Sequence, residues 1–343
     1  MKEFGSDFHY VNPTGGSNTL RDFFPSANYY ADGRQALIDL YRSQGWQRLW
    51  VPEYFCYDVI ASLKEAGLEL RFYADWPGNN DNENDNLNVN FRVGDAILRV
   101  NYFGTRGYRS PEKLNIPVVE DHTHDLIGSW AINSHADWCI ASLRKSLPVP
   151  EGGMLWSPVR LRLPEAPSAS EENERIAAIR WEAMRLKARY LAGEDVEKAT
   201  FRAGFVDTEE YFDMAEVCAL DAESQKFLRE FDIRDWYNRK RQNWELLRDI
   251  RKEGVRVVRP ESIGCYPFSL VLLFDSLDER ERVRKELIAH QIYPAVLWTI
   301  LHCPADGEIF TFSREMLSIH CDGRYDAIEI QELQKGIERI LYV

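Results

Sequence analysis

Up to residue 30 the apolar side chains are interspersed with Gly, Asn and Pro at no regular spacing, which predicts an extended arm or irregular cap. From Gly33 the spacing turns helical. GRQALIDLYRSQG sets Ala36, Leu37, Leu40 and Tyr41 on one face and ends at Gly45, a helix stop. Short apolar runs follow: RLWVP (48–52), LELRFY (68–73), AILRVNY (96–102), PVVED (117–121) and DWCIAS (137–142), with a helix over YDVIASLKEAG between the first two. Apolar strands with connections long enough to cross over predict the α/β class, a mostly parallel sheet with helices on both faces. Such a sheet binds its ligands outside the carboxyl ends of the strands.

Residues 171–192 and 222–251 predict two long helices, the second carrying the basic cluster RKRQNW at 239–244, which reads as a solvated face. VRVVRP, PFSLVLLFD, a helix from Asp278 to His290, YPAVLW, MLSIHC and a helix from Tyr325 then form a smaller β/α region. The expected organisation is an arm over 1–30, a large domain over 31–235 and a small C-terminal domain over 236–343. The acidic, Asn-rich stretch 78–88 is too polar for a core and reads as a surface loop.

Composition narrows the partners. The 343 residues carry a formal net charge of −13, which disfavours a nucleic-acid backbone or an anionic membrane surface and favours a small-molecule substrate. Six cysteines are widely spread with no CxxC pair, as expected of reduced thiols. No run approaches the roughly 18 apolar residues of a membrane span, and MKEFGSDFHY has no leader-like pattern. A soluble, cytoplasmic protein is expected.

Three features carry candidate chemistry. PVVED runs into HTHD, so Glu120, Asp121, His122, His124 and Asp125 fall within six residues. A carboxylate at a strand end can hold a ring nitrogen protonated, since an adjacent opposite charge stabilises both charged forms. Pyridoxal phosphate (PLP) needs such a partner to act as an electron sink, and Asp121 is the choice for it. A satisfied loop carboxylate is the bland alternative. A metal held by His122, His124 and Asp125, with His302, Cys303, His320 and Cys321 as distant candidates, is a rival, but no metal is assigned. The second feature is ASLRKSLPVPEGG (141–153), which follows a strand and places Lys145 beside Arg144. Burial and a neighbouring cation lower an amine's pKa, as Schiff-base chemistry requires. An isolated Arg-Lys pair is usually surface charge, but the apolar, rigid flank weakens that reading. The third is Asp32, Gly33, Arg34 and Gln35 at a helix start, a natural phosphate site that reads equally as a helix capped by Asp32. No Walker A pattern or dinucleotide fingerprint is present.

In order, GRQAL, VPEYFCYDVIASLKEAG, NYFG (101–104), VVEDHTHD and SLRKSLPVPEGG resemble the landmarks of the DegT/StrS-type aminotransferases, and LSIHCDGRYDAIEIQEL resembles their closing segment. These are fold type I PLP enzymes that mostly aminate keto groups of nucleotide-linked sugars. The resemblance implies a mostly parallel seven-stranded sheet flanked by helices, a smaller α+β C-terminal domain and a homodimer. It implies that Lys145 carries the cofactor as a Schiff base and moves the proton, and that Asp121 binds the pyridine nitrogen. His124 is implied beside the ring and its phenolic oxygen. Gly33, Arg34 and Gln35, with Ser142 and Arg144, are implied at the phosphate. The aromatic that covers the ring aligns with Cys56, which nominates Tyr54, Phe55 or Tyr57. Tyr57, Asn101, which stands where the family has His, and Arg324 are implied substrate contacts, Arg324 for a donor carboxylate. The family's Gly-aromatic-Asn-x-Arg segment is missing between 195 and 235. Transamination from an amino-acid donor to a keto acceptor is the activity implied. Another PLP reaction such as elimination or decarboxylation, and a degenerate regulatory protein, remain alternatives. Relatives that dehydrate instead replace the lysine with His, which Lys145 argues against.

Overall fold

The computed structural model describes residues 3–79, 87, 89–111, 114–214, 216–300 and 307–342. The strands in chain order are β1 (Phe4–Gly5), β2 (Asn28–Tyr30), β3 (Arg48–Pro52), β4 (Leu70–Tyr73), β5 (Asp95–Val100), β6 (Val118–Asp121), β7 (Trp138–Ser142), β8 (Gly153–Trp156), β9 (Val255–Val257), β10 (Leu270–Phe274), β11 (Ile292–Tyr293) and β12 (Met316–Ile319). Seven of them form one sheet in the order β2-β8-β7-β6-β5-β3-β4. Strands β4, β3, β5, β6 and β7 are parallel, whereas β8 runs antiparallel to both β7 and β2. This is the expected α/β fold with its mostly parallel seven-stranded sheet.

Alternation along each strand divides the core. Leu49, Val51, Leu98, Val100, Val119 and Ile140 pack toward the helix Gly33–Gln44, through its Ala36, Leu37 and Leu40. Ile97, Val118, Cys139, Ala141 and Met154 face the opposite way, toward Trp181 and Met184 of the helix Glu171–Leu191. Both faces are buried, so these strands read as continuous apolar runs. Strands β9, β10 and β12 form a smaller antiparallel sheet with its own core, which includes Trp244, Val283, Leu287, Leu333 and Ile337 from the helices Ile233–Leu247, Leu277–Ala289 and Ala327–Leu341. No helix among the described residues is long and apolar enough to cross a membrane.

Two local expectations are corrected. Segment 222–251 is two helices, Ala222–Glu230 and Ile233–Leu247. The backbone is extended at Phe231, and the Asp232 carboxylate accepts from Asp235 N as a new N-cap, so apolar spacing continues across a break. The N-terminal segment is more than an irregular cap: β1 pairs in parallel with β11, and β2 forms an edge of the main sheet. Most of the 78–88 stretch lies outside the described residues.

The topology creates one opening. After β3 the chain adds β4 on one side, then returns to place β5 on the other side of β3, with β6 and β7 beyond it. Connections leaving β3 and β5 therefore diverge, and a crevice opens at their carboxyl ends.

Candidate active site

A cavity of about 180 Å³ occupies that crevice. Val100 ends β5, Asp121 ends β6, Ser142 ends β7, and all three line it together with Phe55 and Cys56 beyond β3. The start of the helix Gly33–Gln44 closes one side. Its glycine is required by proximity: a Cβ at Gly33 would lie 3.0 Å from the Ser142 Cβ and 3.1 Å from the Ser142 N.

Lys145 lies in the short helix Leu143–Ser146 directly after β7 and reaches into the cavity. Its side chain is accessible because the cavity is open, yet protein surrounds it. Among the described residues no hydrogen bond or ion pair to its ammonium is formed. The Arg144 guanidinium, and then desolvation, pull its pKa down to about 8, against the weaker opposing pull of Glu209 and Asp32. A minor but much enlarged fraction of free amine is therefore present near neutral pH, and nucleophilic attack on a carbonyl needs that form. Reaction of Lys145 with an aldehyde is expected to rise with pH through about 8 and then level off. Arg144→Gln should move that midpoint upward, toward the ~10.4 of an ordinary lysine. Mass-spectrometric labelling of residue 145 across pH reads both midpoints, and a midpoint that does not move would remove Arg144 as the cause.

Asp121 is half-buried against the same cavity. Its Oδ1 accepts from Thr123 N at 2.8 Å, and burial raises its pKa against that bond. No cation pairs with it among the described residues. Thr123 in turn accepts the Ser142 N–H at 2.9 Å through its Oγ1, tying the ends of β6 and β7 together.

His124 is buried and its protonation state is set by geometry. Phe103 N donates to His124 Nδ1 at 3.0 Å, so the ring proton is on Nε2. Burial, Lys240 and Lys145 hold its pKa down to about 3, so the ring is neutral. Phe268 lies 4.5 Å from the imidazole centroid, and Trp298 stacks on it at 5.9 Å. Lys240 belongs to the basic cluster expected on a solvated face. It is instead buried, donates to His124 O at 3.1 Å and has its pKa lowered to about 8 by that burial.

The arginines at the cavity wall are engaged. Arg34 N donates to Asp32 Oδ1 at 2.7 Å, and Arg34 Nη1 donates to Ser62 Oγ at 2.9 Å and to the Asp213 carboxylate. Arg144 forms a two-pronged pair with Glu209 at 2.8 and 3.3 Å, and its Nε lies 3.7 Å from Asp32 Oδ2. Glu209 also accepts from Arg180 at 3.1 Å; burial opposes its ionisation, but Arg144 and Arg180 outweigh it and draw its pKa down to about 2.

The structure thus brings Lys145, Asp121, His124, Gly33, Arg34, Ser142, Arg144 and Phe55 to one cavity. Four other candidates do not line it, and Tyr57, at the start of the helix Tyr57–Glu65, is also outside the lining. Gln35 turns away and accepts from Cys218 N at 3.1 Å. Tyr54 is buried beneath the wall, with its hydroxyl on Leu297 O. Asn101 is enclosed beside His122, at 3.5 Å. Arg324 is held by Asp322 at 2.9 and 3.0 Å, donates to the Ser6 and Asp7 carbonyls and packs over Phe8, so its guanidinium fastens the N-terminal segment. The rival metal trio is not assembled either. Asp125 accepts from Gly128 N and Tyr266 N, while His122 pairs with Glu120 at 3.0 Å. Among the described residues a different group, Glu120, His122 and Cys139, has donor atoms within 4.8 Å of one another. It forms a hydrogen-bonded cluster with Ser134, whose Oγ donates to Glu120 at 2.6 Å. His302 and Cys303 lie outside the described residues. Phe268, Trp298, Glu209 and Asp213 escaped sequence reasoning, since each reaches the cavity from a distant part of the chain with no motif to mark it.

No protein-family model matches the chain, and no curated protein sequence matches it significantly. Solved structures share its fold. Spr1654 from Streptococcus pneumoniae, in a PMP form, superposes with a TM-score of 0.65 at 12% identity, covering 98% of this chain and 94% of that one. PseC from Helicobacter pylori, an aminotransferase of pseudoaminic acid biosynthesis, does so at 0.63 and 13%, covering 99% and 100%. GDP-4-keto-6-deoxymannose-3-dehydratase, ColD, gives 0.61 and 14%, covering 93% and 90%. The fold is that of the DegT/StrS-type sugar aminotransferases and their dehydratase relative.

Proposed function

We propose that this chain is a PLP-dependent aminotransferase that moves an amino group from an amino-acid donor to a keto acceptor, a nucleotide-linked keto sugar. The observation that carries the reading is the convergence of Lys145 and Asp121, from the ends of adjacent parallel strands, on one cavity closed by a helix start. The residues fit the cofactor. Asp121 is a carboxylate with no cationic partner among the described residues, Lys145 is an amine with a lowered pKa, and Gly33 opens a helix on the cavity wall, the end of a helix that favours a phosphate. When bound, PLP supplies an electron sink for the carbanion formed at the substrate carbon.

The chain's own groups then have defined tasks. Lys145 would hold the cofactor through its carbonyl carbon and, once released, its Nζ would carry the proton that the transfer moves. Asp121 keeps a ring nitrogen charged. His124 offers Nε2–H to an oxygen at the ring edge, and Phe55, Phe268 and Trp298 exclude water from the walls. A cytoplasmic homodimer belongs to the same proposal.

The test is spectroscopic. Full-length protein loaded with PLP should be yellow, and borohydride should fix the cofactor covalently on residue 145 by mass. Lys145→Ala should lose both the colour and the adduct. Adding amino donors should then bleach the absorbance, and keto sugars should restore it. An adduct that forms on other lysines alone, or equally in Lys145→Ala, would sink the proposal; a stable adduct that no donor discharges would leave the cofactor and remove transamination.

A further inference from the structure

The cations that face the helix start are buried, but the anions on their outer side are not. Arg34 and Arg144 side chains are 7% and 9% exposed, whereas Asp213 and Glu209 are 46% and 49% exposed. Behind the guanidiniums the support is fixed: Asp32 lies at 3.3 Å from Arg34 and 3.7 Å from Arg144, Ser62 accepts from Arg34, and the Phe212 ring lies under Arg144 at 5.0 Å. On the cavity side both carboxylates come from one helix, Glu209–Met214, four residues apart and hence on one face. Glu209 takes two hydrogen bonds from Arg144 in the forked geometry that guanidinium also offers to phosphate, and Asp213 takes Arg34. Both carboxylates line the cavity.

Resting on the function proposed above, we propose that Glu209 and Asp213 are built-in competitors for the cofactor phosphate, which hold Arg34 and Arg144 without cofactor and are displaced when a phosphomonoester binds. A phosphate at the start of the helix Gly33–Gln44 meets the same guanidinium faces that the two carboxylates now take. Glu209 does not leave by protonation near neutral pH, because its pKa is drawn down to about 2. Displacement therefore turns two ionised, half-exposed carboxylates away from the guanidiniums, and the phosphate's share of binding is set by this exchange. An aldehyde without phosphate reaches Lys145 without disturbing either pair.

The experiment compares PLP with pyridoxal, the same aldehyde lacking the phosphate. Dissociation constants for both are measured by visible absorbance on full-length protein freed of cofactor, in wild type, Asp213→Asn, Glu209→Gln and the double variant. Asp213→Asn is the gentlest change, since it leaves the Glu209–Arg180 pair intact. Glu209 also acts on the Lys145 amine, so the ratio of PLP to pyridoxal affinity is the quantity compared. The ratio is expected to rise severalfold in each single variant and tenfold or more in the double. Inorganic phosphate, followed by calorimetry, should tighten in the same order. A ratio that is unchanged or falls overturns the proposal, because the carboxylates then orient the arginines instead of competing. If wild type forms no Lys145 adduct with either aldehyde, the PLP reading fails. The phosphate titration still decides the competition, and equal phosphate affinity in all four proteins overturns it.

Discussion

Asp121→Asn is expected to keep the cofactor on Lys145 and to lose about a thousandfold in turnover. Asp121 ends β6, is half-buried, and is held by Thr123, whose backbone N–H donates to its Oδ1 and whose side chain also hydrogen-bonds to it. Burial without a cationic partner raises its pKa, so the carboxylate is poised to be stabilised by a positive ring nitrogen. Two unit charges about 4 Å apart interact by about 4 kcal/mol at an effective dielectric of ~20. That interaction holds the ring nitrogen in its charged form, and its loss corresponds to about three powers of ten in rate. Asparagine keeps the size and the Thr123 contact but not the charge, so the deficit should fall on kcat, with little change in KM. Asp121→Glu retains charge at a shifted position and should lose less. Single-turnover rates with an amino donor separate chemistry from binding. A rate within tenfold of wild type in Asp121→Asn would show that Asp121 does not serve the ring nitrogen.

The parts of this site that were legible in the sequence are those written in consecutive residues. A buried parallel strand is a short apolar run, so the ends of β6 and β7 could be placed, and with them Asp121 and Lys145. The helix from Gly33 announced itself by its spacing and its Asp32 cap, and it stops at Gly45 as expected. What could not be read depends on the chain folding back. Phe268 and Trp298 reach His124 from the C-terminal third, and nothing in PFSLVLLFD or YPAVLW distinguishes a cavity wall from ordinary core. Lys240 sits in a run of three basic residues, yet the helix turns it inward, where His124 O and the Tyr237 and Phe268 rings take it up. The resemblance made Arg324 a substrate contact, and nothing in the run of residues showed that Asp322, two residues away, would pair with it. Likewise the helices Lys198–Val206 and Glu209–Met214 fell in a region with no strong period.

Gly153→Ala should be among the most damaging small substitutions in the chain, destabilising it by about 3 kcal/mol and also preventing cofactor retention. Gly153 starts β8, where it pairs with Ser142 of β7 on one side and Tyr30 of β2 on the other. An added Cβ would lie 2.2 Å from Asp32 O, 2.4 Å from Asp32 C and 2.7 Å from Gly33 N. All three atoms are backbone, so no side-chain rotation relieves the overlap. The chain carrying Asp32 and Gly33 must move, and it cannot move toward Ser142, because Gly33 already packs against that residue. The methyl group therefore pushes the helix start away from the end of β7 and the start of β8, the place where a phosphate would be received. Gly45→Ala at the other end of the same helix is the control. Its φ of 64° makes alanine costly by roughly 1 kcal/mol, but no atom lies within 4 Å of the new Cβ. Urea unfolding should separate the two variants, and only Gly153→Ala should lose PLP on gel filtration while Lys145 is still present. A Gly153→Ala protein that unfolds like Gly45→Ala and keeps its cofactor would mean that the helix start is less tightly set against the sheet than these distances require.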